Sequence, residues 1–145
     1  MNKRLLIIFA LLIATPFAVR LYLAQKNQVQ VLPCVDITKG CGNELLNVRF
    51  EESPKTMKPL HLNLHLSQAE NVGDIHIDFA MQKMEMGLNR YLLIPSKETG
   101  DWQAEVTLPV CIQGQSLWNM LIEIEKEGDV QRFQVPFSAN PGRSD

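Results

Sequence analysis

Leu60-His61-Leu62-Asn63-Leu64-His65-Leu66 places a leucine at every second position. Successive side chains of a strand point to opposite faces, so this stretch builds one apolar face and one polar face. A helix would scatter the same leucines around its circumference. The pattern predicts a half-buried strand, and the rest of the chain repeats it.

Toward the N-terminus, Leu46, Val48 and Phe50 alternate with Asn47 and Arg49, and Glu51 to Thr56 holds Pro54 and reads as a turn. Toward the C-terminus, Ile75, Ile77 and Phe79 alternate with His76 and Asp78. Tyr91 to Ile94 is an apolar run closed by Pro95. Trp102, Ala104, Val106 and Leu108 alternate up to Pro109, and Trp118, Met120, Ile122 and Ile124 alternate with Asn119 and Glu123. Lys126 to Asp129 contains a glycine and predicts a hairpin turn; Phe133, Val135 and Phe137 supply a last strand. That makes about seven short strands with turn signals at sandwich-like spacing. The expected fold is all-β, an immunoglobulin-like β-sandwich preceded by one N-terminal transmembrane helix. The leucine strand and the Trp118 strand are expected at its centre, with Trp102, Trp118 and Gly87 as structural residues.

The N-terminus supplies the helix. Met1-Asn-Lys3-Arg4 is a positive head, and Leu5 to Ala24 is apolar apart from Thr15, Pro16 and Arg20. As a helix, that segment spans about 30 Å, enough for a bilayer core. Arg20 lies near its outer end, where its side chain can snorkel to the headgroups. A cleaved signal peptide is the rival reading, but small residues at cleavage-like spacing are poor, and an uncleaved anchor is favoured. Lys3 and Arg4 would stay in the cytoplasm. The expected location is a bacterial inner membrane, crossed once, with the C-terminal domain in the periplasm.

The 145 residues suffice for one domain. The formal net charge of −2, without a basic stripe, argues against nucleic acid as a partner. The expected division is an anchor over 1–24, a tether over 25–44, the exported sandwich over 45–137 and a disordered tail over 138–145. The tether carries Cys34 and Cys41. Exported cysteines at this spacing usually pair, and a bridge there closes a loop worth about 2.5 kcal/mol on the chain-entropy model. Gly40 and Gly42 would give the backbone freedom to close it. Cys111 makes the count odd, so sequence alone leaves three pairings open.

Enzyme chemistry has little to stand on. No nucleophile elbow, His-Glu-x-x-His or phosphate-binding glycine loop occurs, and the acids show no spacing that picks out a catalytic pair. His61 and His65 are about 13 Å apart along a strand and cannot grip one ion together. His76 could approach either if their strands pair. The favoured reading is histidines facing solvent.

The remaining candidate is Phe79 to Arg90, FAMQKMEMGLNR, where Met81, Met84 and Met86 precede Gly87. Thioether sulfur suits Cu(I), and the Cys111 thiolate would suit it better. Methionine also fills gaps in cores, the role expected of Met57 and Met120.

Met84-Glu-Met86-Gly87, Gly100-Asp-Trp102-Gln-Ala104, Leu108-Pro-Val-Cys111, Gly114 and Trp118 follow one another in an order that resembles the FixH-like and YtkA-like group of bacterial proteins. The resemblance covers roughly residues 60 to 137. It implies a membrane-anchored β-sandwich of the cell envelope, linked to copper handling or to assembly of a haem-copper respiratory oxidase. Met84 and Met86 match its methionine element and Trp118 its tryptophan; histidines beside the methionines are lacking, and the three cysteines are additional to the pattern. Two expectations follow. One is a copper accessory protein using Met84, Met86, Cys111 and Met81. The other is a metal-free module that presents its sandwich to an envelope protein complex.

Overall fold

Alternation along the chain produces two five-stranded sheets that share one core. The structure is a computed structural model that describes residues 15, 16, 19, 20, 22, 28–82, 84, 87, 89–109 and 116–142. The described residues form β1 (Val29–Val31), β2 (Cys41–Gly42), β3 (Leu46–Phe50), β4 (Pro59–Leu66), β5 (Val72–Met81), β6 (Arg90–Leu92), β7 (Ile94–Pro95), β8 (Asp101–Thr107), β9 (Ser116–Lys126) and β10 (Asp129–Ala139). One sheet runs β1-β10-β9-β5-β6 and the other β2-β3-β4-β8-β7. The leucine strand β4 and the tryptophan strand β9 are the middle strands of their sheets, as the alternation predicts. Leu60, Leu62, Leu64 and Leu66 are all buried, and Trp118 is fully enclosed.

The sheets meet through aromatic rings. Phe50 of β3 lies 6.3 Å from Phe79 of β5 and 5.5 Å from Phe137 of β10, while Phe79 and Phe137 are 6.2 Å apart. Met120, between Phe79 and Val135 in the pairing of β9, fills the space among them and is fully buried. The indole N–H of Trp118 donates to Ser116 Oγ at 2.8 Å, which satisfies the polar atom that burial would otherwise strand.

The sandwich extends past both boundaries drawn from the sequence. Within the supposed tether 25–44, β1 pairs in parallel with β10, β2 pairs with β3, and Leu32, Ile37 and Cys41 enter the core. Their apolar residues are too isolated to register as alternation. Cys34 and Cys41 are joined in a disulfide, with Cα atoms 4.8 Å apart. Gly42 tolerates no side chain, because a Cβ would run into the Leu46 carbonyl. In the supposed tail, Ser138 and Ala139 complete β10, Asn140 pairs in parallel with Lys55, and Gly142 N–H donates to Thr56 Oγ1 at 3.0 Å.

Among the described residues, ten strands stand in place of the expected seven or so. Besides β1 and β2, the single apolar run Tyr91–Ile94 divides: β6 joins β5, β7 joins β8, and the buried Leu93 sits at the crossing between sheets. The β9–β10 turn is the predicted hairpin, with Glu127 and Gly128 both at positive φ (55° and 81°). The anchor read over 1–24 falls almost wholly outside the described residues; no helix among them is long and apolar enough to cross a membrane.

Candidate functional site

The methionines of the candidate copper stretch divide between core and surface. Met81 ends β5 opposite Trp118 and packs against the core. Met84 lies beyond the strand, exposed, its N–H directed at the Met81 carbonyl. Met86 and Cys111 lie outside the described residues. Gly87 is exposed, and a Cβ there would meet nothing. Met57, expected in the core, is instead 60% exposed in a left-handed turn, where its N–H donates to the Leu108 carbonyl. That places it at the same end of the sandwich as Met81 and Met84, because Leu108 follows the last residue of β8, Thr107, whose carbonyl Asn89 reaches. Asn89 and Tyr91, which follow the methionine stretch, both reach the carbonyl of Thr107. Trp102 of β8 is buried against the opposite sheet.

The histidines do face solvent, as the alternation of β4 requires, and His76 lies in the other sheet from His61 and His65. His61 nevertheless has company. Its Nδ1 and Nε2 lie 3.1 Å from Glu52 Oε1 and 3.6 Å from Glu105 Oε2, and Glu51, Glu52 and His61 offer ligand atoms within 4.8 Å of one another. Asn63 Nδ2 holds Glu51 at 2.8 Å. Nothing local in the sequence marks this group, because Glu51 and Glu52 open the stretch to Thr56 that Pro54 makes a turn. The β3–β4 register was the available signal: Phe50 opposite Leu62 puts Glu51 beside His61. His65 pairs separately with Asp101 across β4 and β8.

The outer face of the β9 sheet carries a connected set of ion pairs. Glu123 receives Arg132 Nε at 2.8 Å and Arg90 at 2.7 Å, and Arg90 also reaches Asp78 at 2.9 Å. Four adjacent strands, β10, β9, β5 and β6, are thus laced together. The hydrogen bond from Arg132 holds the Glu123 carboxyl below its ordinary range; burial opposes this and Arg90 adds to it.

At the N-terminal edge, the disulfide loop overhangs β10. Cys34, Val35, Asp36, Ile37 and Thr38 form one wall of a groove of about 370 Å³, and Leu117 with Pro136, Phe137 and Ser138 forms the other. Val35 is wholly exposed and Leu117 is 56% exposed. Asp36 accepts hydrogen bonds from the Thr38 hydroxyl (2.7 Å) and N–H (3.0 Å), which, led by the hydroxyl, hold its carboxyl below the usual range. The groove offers polar backbone beside exposed aliphatic side chains, a combination suited to a peptide. Comparison with family models, curated proteins and solved structures gives no match to the chain.

Proposed function

We propose that the chain is an accessory protein of the bacterial cell envelope, held in the inner membrane by residues 1–24, whose sandwich works in the periplasm as a protein-binding module. The observation that carries this reading is the Cys34–Cys41 disulfide. Disulfides persist in oxidising compartments, and this one shapes the wall of an exposed groove rather than cross-linking the core alone. The order β3-β4-β8-β7 against β10-β9-β5-β6 supports an immunoglobulin-like class for the sandwich. The FixH-like resemblance points to an envelope complex concerned with a haem-copper oxidase as the setting. In membranes opened from the periplasmic side, protease should degrade residues 28–142, and mass mapping should find Cys34 joined to Cys41. A domain protected inside the cytoplasm with both thiols free would overturn the reading.

A second reading, Cu(I) binding, draws on Met81 and Met84, joined by the bond from the Met84 N–H to the Met81 carbonyl, with Met57 at the same end of the sandwich. Neutral thioethers suit that ion but do not balance its charge, so the sequence reading adds Met86 and the Cys111 thiolate. Replacing Met84 and Met86 together by leucine keeps volume and apolarity. Loss of Cu(I) binding in that variant supports the copper reading; unchanged binding, or none in the parent, removes it.

A further inference from the structure

Among the described residues, the edge of β10 is covered at two places and open between them. On one side Leu32 N–H donates to the Gln134 carbonyl at 2.8 Å, the last bond of the parallel β1–β10 pairing. On the other, Asn140 N–H donates to the Pro54 carbonyl and its own carbonyl accepts Thr56 N–H, both at 3.0 Å. Backbone groups of a strand alternate sides, so Pro136 and Ser138 face the same edge as Gln134 and Asn140. The β9 side agrees. Ser138 stands opposite Leu117, whose carbonyl is turned away to accept Gln82 N–H at 2.9 Å. The Ser138 pair is therefore one that exchanges no bonds across β9, and its backbone groups point outward.

Pro136 explains why β1 stops. Continued pairing needs the N–H of residue 136 to meet the Leu32 carbonyl, and proline has none. The chain turns off at Pro33, and the disulfide holds it away as the wall of the groove. What remains on the floor is a notch presenting the Pro136 carbonyl and both backbone groups of the exposed Ser138. Asp36 is the one charged residue lining it among the described residues.

We propose that this notch docks an extended segment of a partner protein, taken up as a short strand beside β10 between β1 and Pro54–Thr56. Such a segment completes three backbone hydrogen bonds: an N–H to Pro136, a carbonyl to Ser138 N–H, and an N–H to the Ser138 carbonyl. The Asp36 carboxylate, 3.5 Å from the exposed Lys39 ammonium, exchanges that solvent-screened partner for a lysine or arginine of the segment, and exposed Val35 and Leu117 select an apolar neighbour. The proposal deepens the protein-binding reading and rests on it.

The test pans a display library of short random peptides against the full-length chain and against its Ser138→Pro variant, which loses the donor while leaving the fold's own hydrogen bonds in place. The expected peptides carry basic and apolar residues, protect the Ser138 amide from exchange, and bind the variant about tenfold more weakly, the equivalent of one good hydrogen bond. Asp36→Asn and Leu117→Asp, both on the surface, should weaken the same peptides. Peptides that bind the parent and all three variants equally overturn the notch and leave a protein-binding module acting elsewhere. A library yielding no binder to any of the chains overturns both.

Discussion

Glu123 is the residue on which the outer face of the β9 sheet depends. It sits between two arginines, with its side chain only 17% exposed. Because its folded pKa lies below the unfolded value, the folded state gains stability above the ordinary glutamate range. That gain disappears as pH falls from about 4.3 through the lowered folded value. Glu123→Gln should therefore be less stable than the parent at neutral pH, and the gap should narrow in that acid window. Urea titrations at a series of pH values check this; two curves that stay parallel would show that the arginines contribute nothing specific to the carboxylate. Trp118 illustrates the complementary case of a residue whose polar atom is satisfied within its own strand. Its partner Ser116 lies two positions away on the same face, so one strand supplies both the bulk and the acceptor.

Tyr91 links the sheets through a single oxygen. Its hydroxyl donates to the Thr107 carbonyl at 2.9 Å and accepts the Thr107 N–H at 3.1 Å. It thereby covers the end of β8 that β7, paired only at Trp102 and Gln103, leaves open. Its ring packs edge-on against Phe79 at 5.9 Å. Tyr91→Phe keeps the ring and should cost about 1 kcal/mol, with faster hydrogen exchange at the Thr107 amide as the specific sign; an unchanged rate there would assign the role to the ring alone. Elements with several alternating apolar residues, such as β4 and β9, were legible in the sequence, as was the Glu127-Gly128 turn. The short ones were not. Neither the two residues of β2 nor the three of β1 can show a period, and the split of β6 from β7 depends on which sheet each end meets. Met57 was misplaced for a related reason: the apolar character of one side chain says nothing about the left-handed turn that carries it outward. The Glu51–Glu52–His61 group depended on strand register, which follows from pairing rather than from any local pattern.

At the scale of the whole molecule, the outermost described strand on each side of each sheet is short. β1 and β6 have three residues each, β2 and β7 two. Short edges limit strand addition by other copies, and the chain achieves them by switching sheets at both sides of the sandwich. The N-terminal switch lies within residues 29–42, which the sequence had assigned to a tether. A chain beginning at residue 45 should therefore lose Leu32, Ile37 and Cys41 from the core and expose the edges of β3 and β10. Light scattering should show it aggregating under conditions where a chain beginning at residue 28 stays monomeric. Equal behaviour of the two would make the first two strands dispensable.

The parallel pairing of β1 with β10 has a mechanical consequence. β1 is entered at Val29, opposite Arg132, and β10 runs on in the same direction to Ala139. Tension applied between the N-terminal and C-terminal ends pulls the two strands lengthwise past each other. The bonds joining them are then loaded together in shear instead of opening one after another like a zip. A sandwich hung from a membrane by its N-terminus and held by its C-terminal strand would bear that load at the β1–β10 seam. Pro136, by ending the seam, sets how many bonds share it.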